Sequence, residues 1–235
     1  MDRYLGEGTV VNQQFSMNNY RILDNNIFLQ KHIWLDFTAK NQELETLDLE
    51  NTAQFSEYVF NKIAALGAKI GVGGYMEHRV IYRRSEHFQK QAEPRCIHLG
   101  IDLWTEAETP IYAPFDAVVH SFQNNDTFGD YGPTIILEHN QTFDFTPNKT
   151  LYTLYGHLSL DSLNGLFEGK SIKKGEKIAK IGNFPTNGDW PPHLHFQVMT
   201  HMMGMKGDFA GVCKLSEKEQ YQQICLDPNL ILGLK

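Results

Sequence analysis

Cysteine is scarce: Cys96, Cys213 and Cys225 are the three in 235 residues, an odd number with no CxxC pair. That excludes a disulfide framework and fits reduced thiols in a cytosolic protein. No uninterrupted apolar run approaches the roughly 20 residues that span a bilayer, so no membrane span is expected. Positive charge is in deficit as well. The formal net charge is −7, the pI is about 5.8 and the lysines are scattered, which argues against a nucleic-acid partner. HExxH, GxSxG and Walker-type segments are missing, leaving thermolysin-like, α/β-hydrolase and nucleotide-driven readings without support. The stretch Met1 to Glu7 lacks the basic and apolar blocks of a secretory signal. Two expectations follow: a cytoplasmic protein, or an exported one whose signal has been removed. There is no internal repeat and no low-complexity tract.

What the chain does contain is a concentration of imidazoles in three short segments: His98-Leu99-Gly100-Ile101-Asp102, Tyr155-Gly156-His157-Leu158 and His193-Leu194-His195-Phe196. In the first, His98, Gly100 and Asp102 alternate with Ile97, Leu99, Ile101 and Leu103, which predicts a strand over 97–103 with one apolar face. The third sets His193, His195 and Gln197 against Leu194, Phe196 and Val198, again with a period of two. Hydrolytic zinc takes three protein ligands and keeps one position open. His98, Asp102 and His195 suit that role, because imidazole and carboxylate are borderline-hard donors. His157 and His193 would then face the open position as acid-base groups, imidazole having an unperturbed pKa of about 6.5.

Around these segments the chain reads as residues 1–69, an N-terminal extension; 70–200, an antiparallel β domain; and 201–235, a tail packing on the core. In the extension, Ile33-Trp34-Leu35-Asp36-Phe37 alternates as a strand does. Phe55, Val59, Ile63 and Leu66 recur at helical spacing before Gly67, where a C-cap belongs. Ser216 and Glu219 have capping-box spacing before a short C-terminal helix that Pro228 follows. A chain of this length buries roughly 70% of its unfolded surface without disulfides or metal. His32, His78, His87, His120, His139 and His201 are read as structural or exposed, and Cys96 as a small strand residue. Trp190-Pro191-Pro192 is read as either a subsite wall or a packed turn, and Glu138-His139 as the end of a strand. The sequons at Asn125, Asn140 and Asn148 carry no weight without a secretory route.

The order HxxxD, YGHL, HLHF closely resembles the lysostaphin and LytM-type zinc metalloendopeptidases. The likeness covers about residues 70 to 200. Thr109-Pro110-Ile111-Tyr112-Ala113-Pro114 is similar to the family's GTPVYAP segment, Lys174 to Gly182 to its KKGQxIGxxG turn, and Gly74 to Arg79 echoes its glycine-arginine segment. The resemblance implies a mainly β fold, an antiparallel sandwich or half-barrel core with an N-terminal α-helical extension and a short C-terminal helix. It implies one Zn2+ held by His98, Asp102 and His195, with His157 and His193 as the catalytic pair. It also implies hydrolysis of a peptide bond in peptidoglycan or a glycine-rich peptide. Two departures stand out. The small-residue lead into the last strand is replaced by Gly188-Asp189-Trp190-Pro191-Pro192, and the common glutamate after the aromatic is Gln197.

Other readings remain open at this point. A cytosolic peptidase or amidase has the same residues, a non-heme iron oxygenase also uses two histidines and a carboxylate, and relatives of the fold act as non-catalytic activators. Some members of the family cover the zinc with an N-terminal segment, which makes residues 1–50 a candidate cover. The sequence leaves oligomeric state open.

Overall fold

Short, alternating, turn-bounded segments form thirteen strands among residues 20–235, the part of the chain that the computed structural model describes. Eight of them line up in one sheet: β1 (His32–Leu35), β2 (Ile70–Gly73), β4 (Ile101–Trp104), β11 (His193–Met199), β8 (Thr150–Gly156), β7 (Gly132–Asn140), β6 (Ala117–Asn125) and β9 (Ser171–Ile172). A ninth, β13 (Cys225–Leu226), pairs with the far end of β11. Two small sheets flank it, β5 (Pro110–Tyr112) with β10 (Lys177–Lys180), and β3 (Arg95–His98) with β12 (Val212–Lys214). All pairings are antiparallel except that of β1 with β2. The mainly β architecture expected from the sequence is what the chain adopts.

One face of the sheet is oily, as the period of two requires. Ile101, Leu103, Leu194, Phe196 and Val198 join Ile135, Leu137, Leu151 and Tyr155 in the largest core cluster. The opposite parity of the same strands, His193 and His195 with Asp102 and Trp104, faces away from that cluster. There a second cluster packs Trp104 and Trp190 against Phe37, Phe55, Val59 and Ile63. The helix Thr52–Ala65 supplies the last three of these. Its Asn51 cap accepts a hydrogen bond from the Gln54 amide, and Gly67 ends it at φ +62°. Leu66 continues the apolar spacing, yet it is 55% exposed, because the helix has already ended at Ala65.

Two local expectations are corrected. The stretch 97–103 is not one strand. β3 stops at His98, the chain bends at Leu99-Gly100, and β4 starts at Ile101. The two halves belong to different sheets, and the Leu99 amide donates to the Gly211 carbonyl at 2.8 Å rather than to a ladder. The capping box at Ser216 is also absent. Its hydroxyl and amide both bond Glu93, and Glu217 accepts from the Lys214 amide instead. The short helix itself is present at Lys218–Ile224.

The bend explains Gly100. A Cβ there would lie 2.7 Å from His195 Cε1 and Nε2 and 2.7 Å from the Phe196 carbonyl oxygen, closer than real Cβ contacts. Overpacking of this kind costs about 1–3 kcal/mol. Gly100→Ala is therefore expected to lower the midpoint of thermal unfolding by several degrees, and an unchanged midpoint in calorimetry would show that the turn yields.

Candidate active site

The register between β4 and β11 sets Asp102 directly across from His195, and the bend at Gly100 swings His98 back over the same point. His98 Nε2, His195 Nδ1 and Asp102 Oδ1 form a triangle with sides of 3.0, 3.1 and 3.1 Å. All three residues are buried. The other nitrogen of each ring settles where the protons are. His98 Nδ1 lies 2.8 Å from the Gly74 carbonyl oxygen, which only accepts, so this nitrogen donates and Nε2 presents a bare lone pair. His195 Nε2 lies 3.0 Å from Gln197 Oε1, whose amide nitrogen is turned to the Ala210 carbonyl, so Nε2 donates and Nδ1 is bare. Three lone pairs thus point at one another with no proton between them. That arrangement is repulsive unless a cation occupies the centre. Four-coordinate zinc, with bonds of about 2.0–2.1 Å, keeps its ligand atoms about 3.3 Å apart, so the donors need to part by only tenths of an ångström. Among the described residues, these three are the group of imidazole and carboxylate donors close enough to hold a metal. Cys96, as expected, is not part of it.

The second oxygen of Asp102 is taken by Arg79, whose guanidinium also meets Glu77 Oε2 at 2.8 Å. Burial alone would raise the Asp102 carboxyl, but the Arg79 guanidinium paired with it holds it well below the usual carboxylate range. The buried guanidinium therefore keeps Asp102 ionised and directs Oδ1 toward the triangle. Arg79 lies in the segment likened to the family's glycine-arginine run, although its ion pair could not be read from that.

His157 and His193 face each other beside the triangle, ring centroids 4.1 Å apart. His193 Nδ1 lies 2.8 Å from the Pro191 carbonyl and His157 Nδ1 2.8 Å from the Asn187 carbonyl, so both donate from Nδ1 and leave Nε2 free to take a proton. His193 Nε2 is 3.9 Å from Asp102 Oδ1. Trp104 stacks flat under His193, centroids 4.0 Å apart at 13°. His157 sits at φ +61°, with its amide bonded to the Tyr131 carbonyl and its carbonyl to the Gly182 amide, both at 2.8 Å. Burial pushes His193 down to about 4 and His157 well below the ordinary imidazole value. Both are neutral bases at pH 7.

All five predicted site residues line one cavity of about 100 Å³. Tyr82, Phe88, Tyr131 and Trp190 also line it, and of these the sequence had pointed to Trp190 alone. Trp190 had two readings. Its ring stands 6.1 Å from that of His157 and 6.2 Å from that of His193, so it is a wall of the site. Trp104 carried a legible signal, because it shares strand parity with Asp102. His87, read as structural or exposed, also reaches the cavity wall, 3.7 Å from Asp130. Of the candidate cover, residues 20–50 do not line the cavity, and residues 1–19 lie outside the described part.

Burial makes the stability of the metal-free protein depend on pH. It lowers His87, His139 and His193 to about 4, His98 to about 3, and His157 well below the ordinary imidazole value. In the unfolded chain they titrate near about 6.5. As pH falls below that, the unfolded state takes up protons that the folded state refuses, so stability is complete above it and declines toward the folded values. Each group contributes a slope of up to about 1.4 kcal/mol per pH unit. Urea unfolding of the metal-free protein is expected to show a steep loss of stability between pH 6.5 and pH 4; a flat profile would mean that the rings are charged in the fold.

Residues 96–207 match peptidase family M23. Among curated proteins, the chain is 32% identical over 100 residues to an uncharacterized metalloprotease of Haemophilus influenzae, covering 43% of this chain and 18% of that protein. It is 27% identical over 145 residues to the peptidoglycan DD-endopeptidase ShyA of Vibrio cholerae, covering 60% and 29%. The chain thus spans less than a third of the length of either relative. Among solved structures, it resembles the catalytic domain of lysostaphin from Staphylococcus simulans with 22% identity, 59% and 81% coverage and a TM-score of 0.38. The three converging donors and the two facing imidazoles all fall inside the segment that matches peptidase family M23.

Proposed function

We propose that the chain is a zinc-dependent metalloendopeptidase that hydrolyses a peptide bond. The observation that carries this reading is the convergence of three unprotonated donor atoms beside two imidazoles that are neutral and unengaged at Nε2. A zinc ion held by His98, Asp102 and His195 supplies Lewis acidity toward a water nucleophile and the scissile carbonyl. The remaining work belongs to the chain. His157 and His193, fixed by backbone carbonyls at Nδ1, offer Nε2 to accept the proton of the attacking water. Once protonated, either ring can donate, to the oxyanion developing on the carbonyl or to the departing amine. Arg79 keeps Asp102 charged and aimed, and Trp104 holds the plane of His193. A facial triad for iron needs no such imidazole pair, which is why hydrolysis is favoured over oxygenation.

The named activity of ShyA supports a peptide of peptidoglycan as substrate, and action there requires export.

His157→Ala and His193→Ala are each expected to lower turnover by at least about 10²-fold while zinc content stays at that of the parent. Mass analysis of products from purified peptidoglycan and a panel of short peptides, beside elemental analysis, checks both. Full activity in either variant refutes the assigned roles. Chelation should abolish hydrolysis and zinc restore it, whereas activity restored by iron with oxygen uptake would reverse the choice of chemistry. Arg79→Leu leaves Asp102 as an unpaired buried charge, and is expected to cost about 3–5 kcal/mol of stability in denaturant unfolding.

A further inference from the structure

Gln197 occupies the position where the family pattern carries glutamate, and its surroundings give the amide a task that a carboxylate performs less well. Strand parity puts it on the face of His193 and His195, and it is fully buried. Its Nε2 donates to the Ala210 carbonyl at 3.1 Å and toward Cys225 Sγ at 3.4 Å. Since both N–H groups are committed there, the amide has one orientation, and Oε1 faces His195 Nε2 at 3.0 Å. In that position Oε1 can only accept. The opposite tautomer of His195 would set two lone pairs against each other at Nε2. It would also put a proton on Nδ1, in the middle of the donor triangle.

We propose that Gln197 is a positioning residue that selects the Nε2–H tautomer of His195 and so makes Nδ1 available to the metal. The inference rests on the metal reading given above. Glutamate would accept the same proton, but its second oxygen would meet the Ala210 carbonyl with no hydrogen between them. The glutamine thus joins β11, the 210 segment and β13 with complementary donors and acceptors at each contact. One other acceptor stands near His195 Nε2 among the described residues, Tyr131 Oη at 3.4 Å.

The test uses the full chain and three variants: Gln197→Leu, Gln197→Glu, and Gln197→Leu combined with Tyr131→Phe to remove the nearby hydroxyl. Zinc affinity is measured by competition with a chromophoric chelator, and folding stability by unfolding of the metal-free proteins. Loss of a partner that orients a ligand histidine typically weakens metal binding about 10–100-fold, and this is the loss expected for Gln197→Leu and for the double variant. Gln197→Glu should keep an affinity close to that of the parent although the metal-free protein unfolds more easily. That separation of affinity from stability is one a merely structural role would not produce. In zinc-loaded, 15N-labelled protein, the His195 Nε2–H resonance should lie downfield in the parent and in Gln197→Glu, and move upfield in Gln197→Leu. Parent-like zinc affinity in both leucine variants would overturn the proposal, as would affinities that fall in step with stability across all three. A parent protein that binds no zinc would instead overturn the metal reading, and the role of Gln197 with it.

Discussion

The site depends on one strand pairing, in which β4 runs antiparallel to β11 with Asp102 opposite His195. A slip of β11 by one residue would turn both of its histidines into the oily face and bring Leu194 out. That slip is prevented by the core itself, because Ile101, Leu103, Leu194, Phe196 and Val198 are all buried in one cluster. The apolar residues between the site residues therefore fix the register, and the polar ones inherit their geometry from it. His98 comes from outside this pairing. It reaches the triangle because the chain leaves β3 and passes so close to β11 that only glycine fits at position 100.

Electrostatics then constrain what surrounds the pairing. A carboxylate this deep is unfavourable without a partner, and Arg79 supplies one on the side away from the imidazoles. The guanidinium is held in turn by Glu77 and lies 5.3 Å from the Phe37 ring centroid. Phe37 belongs to the cluster built by the helix Thr52–Ala65, which also positions both tryptophans of the site. Phe55 packs on Trp104 and Trp190, and Thr52 and Arg84 bind the Asp189 carbonyl next to Trp190. Residues before the matched family segment thus complete the walls of a site whose four imidazoles and carboxylate lie inside it.

What was legible in the sequence follows the same division. Periods of two and 3.6 identified the strand carrying His193 and His195, and the helix with its Gly67 terminus, because local patterning determines these. The ordered motifs brought His98, Asp102, His157, His193 and His195 to one cavity. The break at Leu99-Gly100 was hidden, since apolar alternation continues through it and only contact with β11 makes it necessary. The contacts of Arg79 and Tyr131 were hidden for a related reason. Each acts through a residue distant in sequence, and no spacing rule connects them. Residues 20–50 gave no sign that they leave the cavity to other segments.

Each of the four imidazoles is fixed by what its distal nitrogen meets. Three meet backbone carbonyls, those of Gly74, Asn187 and Pro191, whose position follows from the fold whatever side chain stands there. These three tautomers are secured by the course of the chain. The fourth, His195, meets a side chain, so its tautomer is determined by the residue at 197 and by what turns that residue around. Burial has depressed the proton affinity of His98, His157 and His193, so their protons are allotted by geometry rather than by pH near neutrality. The donor triangle is accordingly assembled in advance, with the repulsion among its lone pairs sustained by the sheet.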